Sequence, residues 1–170
     1  MKAYHPMMVM GAWVGLCLTS GRAWADDVRI EAGRMVLPSA ITFATGASAV
    51  SADSDAALGA VAAFLAQKSY LTLVRVEGHV DSDSPGNSGL ELTKTRAMAV
   101  ARALVGKGVA CGRLLPVGFG DQKPVADNGT AEGKAQNRRI EFIPATMRGI
   151  AIGGMPVDGG GVIAGDPCSP

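Results

Sequence analysis

Asp81 and Arg96 are the two residues whose types and spacing best suit a binding chemistry. The acid follows an apolar run ending in Gly78-His79-Val80, and the base comes fifteen residues later, in a stretch of helical periodicity. Between them lies a polar loop with Ser82, Asp83, Ser84, Pro85, Gly86, Asn87, Ser88 and Gly89. A carboxylate accepts hydrogen bonds from an ammonium, and a planar guanidinium grips a carboxylate with two parallel bonds. Presented to one groove, the pair would receive a zwitterion. The plain alternative is a surface ion pair contributing about 0–1 kcal/mol.

Other chemistries fit less well. Asp81, Asp83 and Gly86 imitate the first, third and sixth positions of a calcium loop. Leu92 then stands where that loop needs a bidentate Glu, and Pro85 where it needs a side-chain oxygen. Once the expected N-terminal export signal is removed, one histidine, His79, and two distant cysteines make no zinc ligand set, so His79 reads as a packing or hydrogen-bonding residue. Glu77 and Asp81 are close in sequence, whereas a glycosidase needs two carboxylates across a cleft. No Ser-His-Asp or Cys-His arrangement is evident. The chain reads as a non-enzyme that needs no cofactor or metal.

The 170 residues suffice for one domain with termini. With 16 Lys+Arg against 15 Asp+Glu, no global field recruits nucleic acid or an anionic membrane. Residues 1–25 read as an export signal. Lys2 starts it, Met7 to Leu18 form an apolar core too short to span a bilayer, and Ala23-Trp24-Ala25 sets cleavage before Asp26. Cys17 lacks the small preceding residue of a lipoprotein site, and a retained anchor helix is the alternative. No later segment is long and apolar enough to cross a membrane as a helix. Cys111 and Cys168 remain, an even pair in an oxidising compartment, which favours a disulfide pinning the tail to the loop after the second helix. Two free thiols are the alternative.

The elements follow from periodicity. Residues 26–35 are a polar, irregular extension, and Val36 to Phe43 reads as a strand that Pro38 keeps short or at an edge. Ser51, Asp53 or Ser54 caps a helix running to about Lys68, with Leu58, Val61, Ala62 and Leu65 on its buried face. Leu71 to Glu77 reads as a central strand, and Leu90 to Lys107 as a second helix with Arg96 one turn in. Arg113 to Phe119 is a third strand, followed by a long loop with Gly120, Pro124, Asn128 and Gly129; Arg138 to Ile143 is the last. After Gly149 the Gly-rich tail is expected to hold little regular structure. The order β-α-β-α-β-β implies an α+β sandwich: a mixed sheet, two right-handed crossovers, and helices packed on one face.

From about Val36 to Ile143 the chain resembles the OmpA-like peptidoglycan-binding domain, the family of the periplasmic part of OmpA, Pal and MotB. The resemblance rests on Gly78-His79-Val80-Asp81, Leu92-Thr93-Lys94-Thr95-Arg96-Ala97, Gly118-Phe119-Gly120 and the run from Asn128 through Asn137-Arg138-Arg139 to Phe142, in family order and spacing. It implies an OmpA-like domain over residues 36–146, a tail over 147–170, and non-covalent binding of the diaminopimelate in a peptidoglycan stem peptide. Asp81 and Arg96 match the family's ligand-holding positions, with Val80, Thr93, Asn137 and Arg139 in support. The implied location is periplasmic, with docking on an outer-membrane or envelope assembly as a possible partnership. Four departures stand out: Val80 for Thr, which leaves only the backbone N–H; Gly89 for Asn; Ala44 for an acid or amide; and Lys134 for Arg. Val80, Gly89 and the Gly-rich tail favour the alternative of a protein-interaction module that keeps the fold.

Overall fold

The computed structural model describes residues 28–44, 47–84 and 86–169; the expected export signal falls outside them. The centre of the molecule is a mixed five-stranded sheet. Strand β3 (Leu71–His79) lies in its middle, parallel to β4 (Leu114–Gly120) and antiparallel to β5 (Arg139–Met147). Helix α2 (Gly86–Gly106) joins β3 to β4, and α1 (Asp55–Gln67) packs beside it. A short helix, α3 (Ala131–Asn137), precedes β5. The α+β class with helices on one face therefore holds.

Two ends of the chain differ from the sequence reading. The segment expected to be irregular forms a hairpin, β1 (Arg29–Glu31) and β2 (Arg34–Val36), whose turn residues Ala32 and Gly33 both have positive φ. That twist matches a two-residue hairpin turn, but Ala at the first position hides the usual sequence signal. The strand expected over Val36 to Phe43 does not join the sheet. Val36 ends β2, Pro38 offers no N–H, and only an isolated bridge between Phe43 and Val50 forms beyond it. Thr42 instead takes the Ser54 hydroxyl, its N–H donating to Ser54 Oγ at 2.9 Å, so Ser54 anchors this segment rather than capping α1. One parallel crossover, β3–α2–β4, remains of the expected two.

The second difference is the tail. Strand β6 (Ile150–Ala151) adds to β5 and β7 (Val162–Ile163) adds to β4, giving the order β6-β5-β3-β4-β7. Its glycines serve close approach. A Cβ on Gly161 would lie 2.4 Å from Val117 and 2.7 Å from Phe119, and one on Gly159 would meet the Arg75 guanidinium at 2.7 Å. Glycine content that suggests a loose linker here permits docking on the sheet face away from the helices.

Alternation along β3 sorts its side chains between two faces. Val74 and Val76 join Phe142 of β5 in the apolar core with Leu58, Val61 and Leu65 of α1 and Ala97, Val100 and Leu104 of α2. Arg75, Glu77 and His79 point the other way and are all buried. Arg75 pairs with Glu77 and donates from Nη1 to the Val157 carbonyl at 2.8 Å, so the tail roofs this charged row. Lys123 adds a bond to the Gly159 carbonyl at 3.0 Å. Burial pushes the Glu77 carboxyl up, but the side chains of His79 and Arg75 and the Arg75 charge outweigh it and hold the group below its ordinary value.

Cys111 and Cys168 form the disulfide, with Cα atoms 5.3 Å apart and 57 residues of separation. It ties the tail's end to the turn before β4. Replacing both cysteines by serine is expected to lower stability by roughly 2–4 kcal/mol, measured as the shift of the urea unfolding curve under non-reducing conditions. An unchanged midpoint would mean that the bridge restrains nothing the tail contacts do not already hold.

Candidate functional site

Helix α2 sits unusually close to the sheet. A Cβ on Gly78 would lie 2.4 Å from the Thr93 carbonyl oxygen, and one on Gly118 would lie 2.6 Å from the Lys94 side chain and 2.9 Å from Thr93 Oγ1. Thr93 is fully buried, and its hydroxyl donates to the Leu90 carbonyl at 2.8 Å while accepting from the Gly120 N–H at 3.0 Å. It is a positioning residue that fixes Arg96, three residues on, relative to the end of β3. Its hydroxyl has no capacity turned toward a ligand.

Asp81 follows β3 and is 3% exposed. Its Oδ1 accepts from the Asp83 N–H at 3.1 Å, and its Oδ2 pairs with Arg138 Nη1. Arg96 stacks over the Phe43 ring at 4.8 Å and donates from Nε and Nη2 to the Ala47 carbonyl at 3.3 and 3.2 Å. Burial first, and the charge of Arg138 second, lower the Arg96 pKa. The two guanidiniums therefore feel each other, with the Asp81 carboxylate bonded to one of them. An anionic group placed beside them would relieve that repulsion.

The supporting residues divide. Asn137 is fully buried; its Oδ1 accepts from Val125 and Ala126 N–H groups, and its Nδ2 donates to the Ala126 carbonyl and to Asn128 Oδ1. Asn128 Oδ1 also accepts from the Ser82 N–H at 3.3 Å, linking the loop after β4 to the Asp81 loop. Lys134 Nζ reaches Asp83 at 2.7 Å, so the second loop acid is turned to α3 rather than toward Asp81. Val80 is buried, and its backbone N–H, expected to stay available, is spent on the Gly120 carbonyl at 3.0 Å.

Arg139 lies apart from Asp81. It faces the opposite side of the sheet, with Nε 2.8 Å from Glu141 Oε1 and further bonds to the Asn137 and Lys123 carbonyls. Arg138 takes the place beside Asp81. The adjacent arginines were visible in sequence, but which one faces the groove depends on where β5 begins. Helix α3, unrecognised among the loop's turn residues, sets that point, and its Thr130 cap accepts from the Gly133 N–H at 3.0 Å. The signal was available in Thr130-Ala131-Glu132-Gly133, a cap with an acidic first turn.

Comparison with known proteins bears on the family and the fold. The model of the OmpA family matches residues 42–138. A probable lipoprotein of Escherichia coli, YiaD, is 39% identical over 107 residues, 62% of this chain and 48% of its own length. The peptidoglycan-binding protein ArfA of Mycobacterium tuberculosis is 39% identical over 70 residues, 41% of this chain and 22% of its own. The chain thus spans about half or less of these curated relatives. Among solved structures, the cell wall anchor of the type VI secretion system from Pseudomonas aeruginosa superposes with a TM-score of 0.57 at 29% identity, covering 69% of this chain and 87% of that one.

The close approach of α2 gives a direct test. Gly78→Ala is expected to destabilise by about 1–3 kcal/mol, because the intruding Cβ meets backbone rather than a mobile side chain. Gly59→Ala, in α1 with open space around its Cα, should be neutral or stabilising by up to about 1 kcal/mol. Chemical unfolding of both variants reads the difference; equal effects would remove the argument that a glycine is required at 78.

Proposed function

The chain belongs to the OmpA family, and we propose that it binds peptidoglycan non-covalently through the diaminopimelate of the stem peptide, holding itself or a partner assembly to the cell wall. The family's members are structural modules rather than catalysts. The observation that supports the ligand reading is the ion pair of the nearly covered Asp81 carboxylate with the half-exposed Arg138, whose charge also lowers the pKa of the partly buried Arg96. The free end of diaminopimelate carries an ammonium and a carboxylate on one carbon. Arg96 keeps Nη1 without a partner among the described residues, and takes the ligand carboxylate there. The ammonium replaces Arg138 at Asp81: Asp81 is nearly covered, while the Arg138 side chain is 48% exposed and free to swing outward.

Names among the relatives support this reading, since ArfA is called peptidoglycan-binding and a solved relative is called a cell wall anchor. A periplasmic location, with association to the outer membrane, is the reading supported by relatives that include a probable lipoprotein and outer membrane porins. No helix among the described residues is long and apolar enough to cross a membrane. One site is weak by itself, and a sacculus repeats the ligand, so tethering to an assembly would multiply its grip. A protein partner is the second reading, favoured by Ile150 and Met155, which are 73% and 58% exposed.

Co-sedimentation with purified sacculi tests the proposal. Wild type should pellet, and Asp81→Asn and Arg96→Ala should each weaken binding by roughly ten- to a hundredfold, the worth of a charge-assisted bond. Free diaminopimelate should compete, and cadaverine, the same diamine chain without either carboxylate, far less. Equal pelleting of all three proteins would remove the mechanism; failure of wild type to pellet would favour the protein partner.

A further inference from the structure

We propose that Glu77, His79 and Glu141 form a binding site for a divalent transition-metal ion of the zinc class, on the sheet face opposite the helices. The three residues each offer one ligand atom, a ring nitrogen or a carboxylate oxygen, and these atoms all lie within 4.8 Å of one another. Antiparallel pairing of β3 with β5 puts them there: Glu77 stands opposite Glu141, and His79 opposite Arg139.

The independent sign of a missing ligand is His79. It is 2% exposed, and both of its ring nitrogens are buried with no hydrogen-bond partner among the described residues. Nε2 does lie 3.3 Å from Glu77 Oε2, but without the alignment of a hydrogen bond. The ring is held in place by stacking on Phe119, with centroids 5.2 Å apart. Buried imidazole nitrogens are ordinarily bonded; here Nδ1 has no partner among the described residues and Nε2 only the unaligned Glu77 carboxylate, so an ion taken by one nitrogen would satisfy a donor atom the fold leaves unbonded.

Neighbouring arginines hold the carboxylates without blocking them. Arg75 bonds Glu77 at Oε1, and both Arg34 and Arg139 bond Glu141 at Oε1. Every guanidinium bond thus falls on one oxygen of each glutamate, leaving the other oxygen for an ion. Carboxylate ligands are commonly oriented by such outer hydrogen bonds. A polar cavity of about 280 Å³, bordered by the β1–β2 turn, Lys123 and Val125, reaches all three ligands and supplies the entry path. The basic neighbours oppose a hard, purely electrostatically held ion such as calcium or magnesium. One imidazole and two carboxylates suit a borderline ion with a water completing four-fold coordination.

Cobalt(II) replaces zinc and reports its geometry by visible absorption. The untagged full-length chain, disulfide intact, should give tetrahedral cobalt bands that saturate near one equivalent and are displaced by zinc. Zinc alone should raise its thermal unfolding midpoint. His79→Gln and Glu141→Gln should each weaken cobalt affinity tenfold or more. Glu141, at the cavity margin, carries the test if His79→Gln folds poorly. Residues ahead of position 28 are common to all three proteins and cancel in the comparison. Absent bands in wild type, or bands equal in wild type and Glu141→Gln, would overturn the site. Pelleting with sacculi is unaffected by either result, since Asp81 and Arg96 take no part.

Discussion

The rest of the structure depends on how closely α2 is pressed to the sheet at Thr93. Two strand glycines, Gly78 and Gly118, remove the Cβ atoms that would otherwise hold the helix away. The Thr93 hydroxyl then reaches the Gly120 N–H, tying the helix to the end of β4. Because an α-helix rises 1.5 Å per residue, locking Thr93 also sets the height and direction of Arg96. The same glycines lie close to the ends of the two parallel strands, beyond which the Asp81 loop and the Asn128 loop begin. Glycines that look incidental in the sequence are therefore what brings an acid and a base from different elements into one region.

The two faces of the sheet solve different problems. The helix side buries Val, Leu, Ala and Phe, and its stability comes from removing apolar surface from water. The other side buries Arg75, Glu77 and His79, which needs partners for every charge. Arg75 and Glu77 pair with each other, and further bonds on this face come from outside the family-matched residues 42–138: the Val157 carbonyl accepts from Arg75, the Gly159 carbonyl from Lys123, and Arg34 pairs with Glu141. Breaking a buried pair of this kind by removing one member typically costs about 3–5 kcal/mol, far more than a surface ion pair. The tail and the disulfide that holds its end are thus part of the folded unit rather than an appendage.

Much of this was legible in the sequence, and the parts that were not share a cause. The unbroken apolar run before Arg75 marked β3 as central, and 3.6-residue spacing marked both long helices. Pro38, Gly-rich composition and Ala32-Gly33 were read locally, as a weakened strand, a loose tail and an irregular extension. Each gains its meaning from a tertiary contact: Thr42 with Ser54, Gly161 with Phe119, Met35 with the core. The Asp81 and Arg96 spacing was legible because a short loop and the first turns of α2, which begins at Gly86 and not at the expected Leu90, fix it. Arg138 and Arg139 were not separable, because a one-residue change in where a strand begins reverses which side chain faces which way.

The departures from the family pattern at Val80 and Gly89 have one steric origin. A Cβ on residue 89 would fall 1.9 Å from the Ser84 carbonyl oxygen and 3.0 Å from Val80 Cγ2. The loop has closed onto the helix start, and Asn cannot stand at 89 unless that carbonyl moves away. Val80, packed against the same glycine and bonded through its N–H to Gly120, completes the closure. Two polar side chains are thereby exchanged for tight backbone packing, so a ligand meets fewer neutral hydrogen-bonding groups around Asp81. The charged groups that remain in this region are Asp81, Arg96 and Arg138. Charge-assisted bonds are individually stronger than neutral ones and are weakened by salt where they are exposed. On the proposed reading, a site of this composition would select a zwitterion by its charges more than by its shape.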